Sequence, residues 1–344
     1  MIFILILISM FLTTKYAPRK IEDFIFNKDV ACMLSYISTY ENIPHIILSG
    51  IPNSGKKTLL HFYLSELYGK NYNKGKKIKY IVKKKEIEIF QTNYHILIEP
   101  TNTNNDKYIL QDIIKKYATC NNISLYERPK QFKTVVIYDA DNLSISSQSA
   151  LRRTMEIYAK NCRFIMLCNN LSKILDPLKS RCTNIYVKHP SQIDMENVLY
   201  DISIKENFDI DIQKIREIIK STDCLKAALW KLNMYCYNDI NPIEKSAIDT
   251  IYDDIVKILL SNVDVAKKFK FARRDIYKII ITSISGTDII NNILKRIIIK
   301  MDDGDKIIGI IKYASDAEEN FSIGRRDIFS IDLFISGVIK VIHS

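Results

Sequence analysis

Gly50 to Thr58 reads GIPNSGKKT, directly after the apolar run His45–Ser49 (HIILS) and before a stretch with helical spacing that ends at Tyr68. Strand, glycine-bearing loop and helix in that order are the context a phosphate-cradling loop needs. The glycines Gly50 and Gly55 let the backbone around Asn53 and Ser54 curl so that its N–H groups face an anion. The helix N-terminus adds positive potential, and Lys56 can reach the outer phosphates. One position breaks the pattern: the hydroxyl that should follow the lysine and hold magnesium is replaced by Lys57. Thr58 comes one place late and is expected to point away from a metal.

A second strand lies downstream, in TVVIYDADNLS (Thr134–Ser144). In hydrolysing P-loop enzymes the end of such a strand, the Walker B element, carries an aspartate that supports magnesium and a glutamate that polarises the attacking water. Tyr138 and Asp139 occupy those places here. Both usual protein supports for the metal are therefore missing, at two points far apart in sequence. The expectation is that ATP or ADP binds through the loop amides and Lys56, with Mg2+ weak or absent, and that turnover at this site is slow or absent.

Outward from the loop, apolar runs alternate with amphipathic stretches. A strand is expected near Tyr94–Ile98, a helix from Tyr108 to Tyr117, a helix from Ser147 to Lys160, and a strand in CRFIMLCNN (Cys162–Asn170). Unbroken apolar strands between helices describe a parallel sheet covered on both faces. The fold class expected is an α/β P-loop domain with a parallel sheet, followed by helical segments to the end of the chain. The domain reading is residues 1–14 as an N-terminal extension, 15–187 as the nucleotide-binding domain, 188–241 as a small helical unit and 242–344 as a longer helical block. Asn241 and Pro242 mark the last boundary.

Composition narrows the classes of partner. The formal net charge is +11, which favours an anionic partner, although the abundance of Ile, Asn and Lys is also what AT-rich coding produces. The seven cysteines are odd in number and contain no CxxC pair, so neither a disulfide framework nor a zinc site is suggested. The five histidines show no metal spacing. MIFILILISMFL at the start is uncharged but too short to span a bilayer, so no membrane role is expected, and a true start at Met10 would remove the anomaly. Lys70–Lys85 holds eight lysines and no acidic residue, which reads as a solvated loop.

Several motifs together resemble replication factor C, and within it the small subunits whose phosphate loop ends in Gly-Lys-Lys-Thr. They are KYAP (Lys15–Pro18), GIPNSGKKT, KKKEIEI with NYH (Asn93–His95), QSALRRTMEIY (Gln148–Tyr158), MLCNN, and DPLKSRC (Asp176–Cys182). ARRDIY (Ala272–Tyr277) and IGRRDIF (Ile323–Phe329) extend the likeness more weakly to the C-terminal block. The resemblance implies an AAA+ domain, a helical lid and an all-α collar within a hetero-pentameric clamp loader. Its partners would be the other loader subunits, the sliding clamp and primer-template DNA, and its compartment the nucleus.

Roles follow from position in those motifs. Asn169 looks like the sensor-1 residue that reads the γ-phosphate, and Lys226 stands where the lid usually has a sensor-2 arginine. A lysine there keeps charge but loses the bidentate fork. Arg181 looks like an arginine finger that projects into the neighbouring subunit's site. Leu151, Met155 and Tyr158 fall on one face of the helix around Ser147–Lys160, leaving Arg152 and Arg153 on others. With Lys115 and Lys116 on the preceding helix, they are candidates to lie along a DNA backbone, or alternatively to form salt bridges or a subunit contact. Two other classes compete with this reading: a self-contained P-loop enzyme, disfavoured by Lys57 and Tyr138, and a scaffold that needs no nucleotide.

Overall fold

In the computed structural model the described residues are 11–69, 72–82, 85–100, 106–119, 132–208, 210–222, 224–238, 247–261, 264–282, 284–301, 303–322 and 327–343. The first ten residues, the Asn241–Pro242 boundary and the opening of the IGRRDIF motif lie outside them. The chain packs as two compact units, residues 1–243 and 244–344.

The first unit is built on a seven-stranded sheet. The strands are β1 (His45–Ser49), β2 (Gly75–Val82), β3 (Lys85–Thr92), β4 (His95–Ile98), β5 (Lys133–Ile137), β6 (Cys162–Cys168) and β7 (Cys182–Tyr186). Their spatial order is β2-β3-β4-β5-β6-β1-β7. From β4 to β7 every neighbouring pair is parallel, while β2 and β3 add an antiparallel hairpin at one margin.

Each unbroken apolar run is shared between two cores, because successive residues of a strand point to opposite faces. Ile47, Val135, Ile137, Phe164 and Met166 face one core. Ile46, Leu48, Val136, Ile165 and Leu167 face the other. Helices α4 (Asp106–Thr119) and α5 (Ile145–Ile157) close the first face through Ile113, Ile114, Leu151 and Met155. Helices α2 (Lys28–Thr39) and α3 (Lys56–Tyr68) close the second through Leu34, Leu60 and Phe62.

The expected solvated loop at Lys70–Lys85 needs correction. Among its described residues, Gly75–Val82 is strand β2, paired with β3 in the register Lys77↔Phe90, Ile78↔Ile89 and Lys79↔Glu88. The residues are solvated as expected, with Lys76, Lys77 and Lys79 exposed. Alternation supplies the reason for a strand: Ile78 and Tyr80 share one face while Lys77 and Lys79 take the other. Tyr80 packs onto the first core, and Lys79 lies 3.9 Å from Glu88 across the hairpin.

Beyond β7, helices α7 (Gln192–Lys205), α8 (Ile212–Lys220) and α9 (Leu225–Asn238) form a small core of their own around Leu199, Ile218 and Leu232. Leu12, on the single-turn helix α1 (Leu12–Lys15), is buried within that core, and Phe11 packs on Trp230 at 4.8 Å between ring centroids. Lys15 ion-pairs with Glu206 at 2.5 Å.

The second unit contains α10 (Ala247–Leu260), α11 (Val265–Ile280), α12 (Gly286–Lys300), α13 (Gly304–Ser322) and α14 (Asp327–His343), around a core rich in isoleucine. Arg296 binds Asp249 and lies 2.7 Å from Asp253, and Arg273 lies 3.2 Å from Asp332. Among the described residues no helix is long and apolar enough to cross a membrane.

Candidate functional site

Parallel strands align their carboxyl ends, and this sheet uses that edge to gather residues from distant parts of the sequence. Ser49 of β1 lies in register with Cys168 of β6 and Tyr186 of β7. The loop Gly50–Gly55, the pair Tyr138–Asp139 and Asn169 therefore emerge side by side.

The loop conformation depends on its two glycines. A Cβ on Gly50 would stand 2.4 Å from the carbonyl oxygen of Val187, so the loop can run this close to the end of β7 only without a side chain there. Gly55 has φ +92°, in the left-handed region that glycine enters at no steric cost. Asn53 also has positive φ, at 62°. Ser54 is buried, and its Oγ has no hydrogen-bond partner among the described residues. Lys56 is buried too, and its Nζ donates to the carbonyls of Gly50 at 2.6 Å and Ile51 at 2.8 Å. Burial pulls its pKa down, against the opposing pull of the Cys168, Asp139 and Asp141 side chains.

Lys57 and Tyr138, the two departures noted in the sequence, touch one another. The Lys57 ammonium sits over the Tyr138 ring, 4.4 Å from its centroid, the geometry of a cation–π contact. Tyr138 is buried against α3. Its hydroxyl is pushed up to about 12, chiefly by burial and then by the nearby Glu99, Tyr72 and Asp139. It stays neutral, and this side chain cannot stand in for a carboxylate metal ligand. Thr58 is half-buried one residue further along α3.

Asp139 is committed elsewhere. Its Oδ1 accepts from Asn169 Nδ2 at 3.3 Å, which ties the end of β5 to the end of β6. Asp141 extends the tie by accepting from the Asn169 and Asn170 amides at 3.3 and 3.4 Å. Gln148 completes it at the start of α5, donating to the carbonyls of Leu143 and Lys173 while accepting from Leu175 N. Lys226, in the first turn of α9, is exposed, and no hydrogen bond or ion pair joins it to the loop among the described residues.

Arg181 lies at the other edge of the sheet. It immediately precedes β7, whose first residue, Cys182, is in register with His45 at the start of β1. Five residues at ~3.3 Å each separate that level from Gly50, so Arg181 is roughly 16 Å along the strands from the loop of its own chain. Arg152 and Arg153 project from α5, the first half-buried and the second exposed, while Lys115 and Lys116 are exposed on the adjoining α4.

A family model described as "DNA polymerase III, delta subunit" matches residues 27–191. A protein of Acanthamoeba polyphaga mimivirus, named as a replication factor C small subunit, is 45% identical over 339 residues, covering 96% of this chain and 91% of its own. The chain belongs to the replication factor C small-subunit family. Within it, replication factor C subunit 5 of Saccharomyces cerevisiae is 27% identical, covering 94% of this chain and 97% of its own. Replication factor C subunit 3 of Arabidopsis thaliana is also 27% identical, with 95% and 96% covered.

Two residues in this replication factor C chain were not singled out by sequence reasoning. Asp141 was visible only as part of DADN, where a short acidic side chain can accept local amides. Glu156 sits inside the ALRRTME motif, but its partner Arg181 is 25 positions away, and only the packing of α5 against α6 (Asp176–Lys179) brings them together.

Proposed function

We propose that this chain is a subunit of a sliding-clamp loader that holds ATP or ADP without efficient turnover, completes a neighbour's site with Arg181 and contacts primer-template DNA through α4 and α5. The other loader subunits, in a hetero-pentamer, and the sliding clamp are its protein partners, and the nucleus is its compartment. The domain plan that accompanies this reading is a nucleotide-binding domain to Val187, a lid to Asn241 and an oligomerising collar beyond.

The observation that carries the proposal is the place of Arg181. An arginine whose backbone lies roughly 16 Å along the strands from its own phosphate loop, with its guanidinium turned to Glu156, is badly placed to serve that loop and better placed to serve another subunit. In other nucleotidases such arginines are worth roughly 10³ to 10⁵ in rate. Lys57 and Tyr138 support the companion claim that this chain's own site turns over poorly, since neither can hold a divalent cation.

The deciding experiment is ATP hydrolysis by the reconstituted loader, stimulated by DNA and clamp, with Arg181→Ala in this subunit alone. The neighbour's share of turnover disappears while assembly is unchanged. Full turnover by that assembled variant refutes the trans role and leaves a DNA-binding scaffold.

A further inference from the structure

The phosphate loop of this chain does not fit magnesium. The side chain after Lys56 is an amine, the residue at the end of β5 is a buried phenol, and the two nearby carboxylates, Asp139 and Asp141, already accept from the Asn169 side chain and from the Asn169 and Asn170 amides. Phosphate oxygens drawn into the loop would still need their charge offset, because burying uncompensated anionic charge is costly. A second cation is available in the same place. Lys57 follows Lys56 in the first turn of α3, is exposed, and has its ammonium shelved on the Tyr138 ring at 4.4 Å.

We infer that this site takes a metal-free nucleoside di- or triphosphate, with the Lys57 ammonium, steadied by the Tyr138 ring, supplying the charge that a divalent cation supplies in other P-loops. The two departures from the usual pattern then form one device. Lys57 without an aromatic shelf would be a flexible surface lysine, and Tyr138 without Lys57 would be a plain core tyrosine. A cation–π contact of this kind favours one rotamer of a long side chain severalfold. Ser54 contributes a buried hydroxyl that still lacks a partner among the described residues, at the same loop.

This inference rests on the reading that the loop binds nucleotide at all, and its test separates the two. The full-length chain is titrated with the fluorescent nucleotide mant-ADP, once with excess magnesium and once with EDTA. The expected result is a Kd that agrees within about threefold between the two conditions. Tightening by tenfold or more with magnesium overturns the inference while leaving the nucleotide reading intact. Saturable binding in neither condition overturns both.

Variants give a second arm. Lys57→Ser weakens binding in EDTA by tenfold or more, and Tyr138→Leu, which keeps apolar bulk but removes the aromatic shelf, weakens it severalfold. The double variant Lys57→Ser with Tyr138→Asp makes binding magnesium-dependent. Equal affinity of wild type and Lys57→Ser in EDTA overturns the role given to the ammonium.

Discussion

Glu156 holds Arg181 by two contacts to a single carboxylate oxygen, Nη2 at 2.7 Å and Nε at 2.9 Å. Arg152 approaches the same oxygen at 4.0 Å, and Pro177 supplies a carbonyl to Arg181 Nη1 at 2.7 Å. The arginine proposed to act on a neighbour is thus aimed by an acidic residue from the helix proposed to meet DNA. Glu156→Ala is expected to lower the neighbour's hydrolysis severalfold in the assembled loader, less than Arg181→Ala does. Its effect on folding stability stays within about 1 kcal/mol, because both side chains are substantially exposed. Turnover and chemical denaturation, measured on the same variant, check the two halves.

DNA contact through α4 and α5 makes affinity fall with salt and stay indifferent to sequence. Replacing Arg153, Lys115 or Lys116 with Ala, one at a time in the assembled loader, is expected to weaken primer-template binding. Each phosphate contact removed reduces the slope of log K against log salt by about one. A salt titration by fluorescence anisotropy reads both effects, and an unchanged slope for all three variants removes α4 and α5 from the DNA interface.

Gln148 is buried with three hydrogen bonds, two joining α5 to the segment that follows β6 and one returning to Leu143 just before α5. Gln148→Leu keeps the bulk but leaves the Leu143 and Lys173 carbonyls and the Leu175 amide unpaired. The expected destabilisation is about 2–4 kcal/mol, measured by urea unfolding of the full chain.

His45 and His95 give the stability a predictable acid limb. Burial is the main cause that lowers both to about 4, with Arg163 adding to it at His45 and His61 at His95. His45 Nδ1 accepts from the Phe164 amide at 3.1 Å, which requires that nitrogen to be unprotonated. The unfolded chain takes up protons near pH 6.5 and the folded chain only near 4. Stability is therefore unaffected by these groups above about pH 6.5 and declines as pH falls from there towards 4, by up to about 1.4 kcal/mol per pH unit for each histidine. His45→Asn, which keeps an acceptor, flattens this part of the curve. Urea midpoints at a series of pH values test it.

The parallel sheet and its two covered faces could be read directly from Ile46–Leu48, Val135–Ile137 and Phe164–Leu167, because an apolar run with no polar alternation has few other uses in a strand. The phosphate loop was equally legible, since the glycines at 50 and 55 answer to local backbone demands. Contacts that depend on chain return were not. Lys57 and Tyr138 each looked like a loss when taken alone, and their pairing arises only because β5 ends beside the helix whose first turn carries Lys57. The β2–β3 hairpin was hidden by composition: lysines outweigh Ile78 and Tyr80, and strand alternation with a charged outer face looks locally like a solvated loop.

That hairpin also governs how the sheet ends. An open sheet exposes a row of backbone donors and acceptors at its outermost strand, and any similar chain nearby could dock there and extend it. Here the outermost strand β2 bristles with Lys76, Lys77 and Lys79, so a second copy approaching side-on meets cation against cation and loses hydration for no return. A chain that works among look-alike siblings gains from this directly. At this margin the sheet stays finite instead of zipping into a fibre.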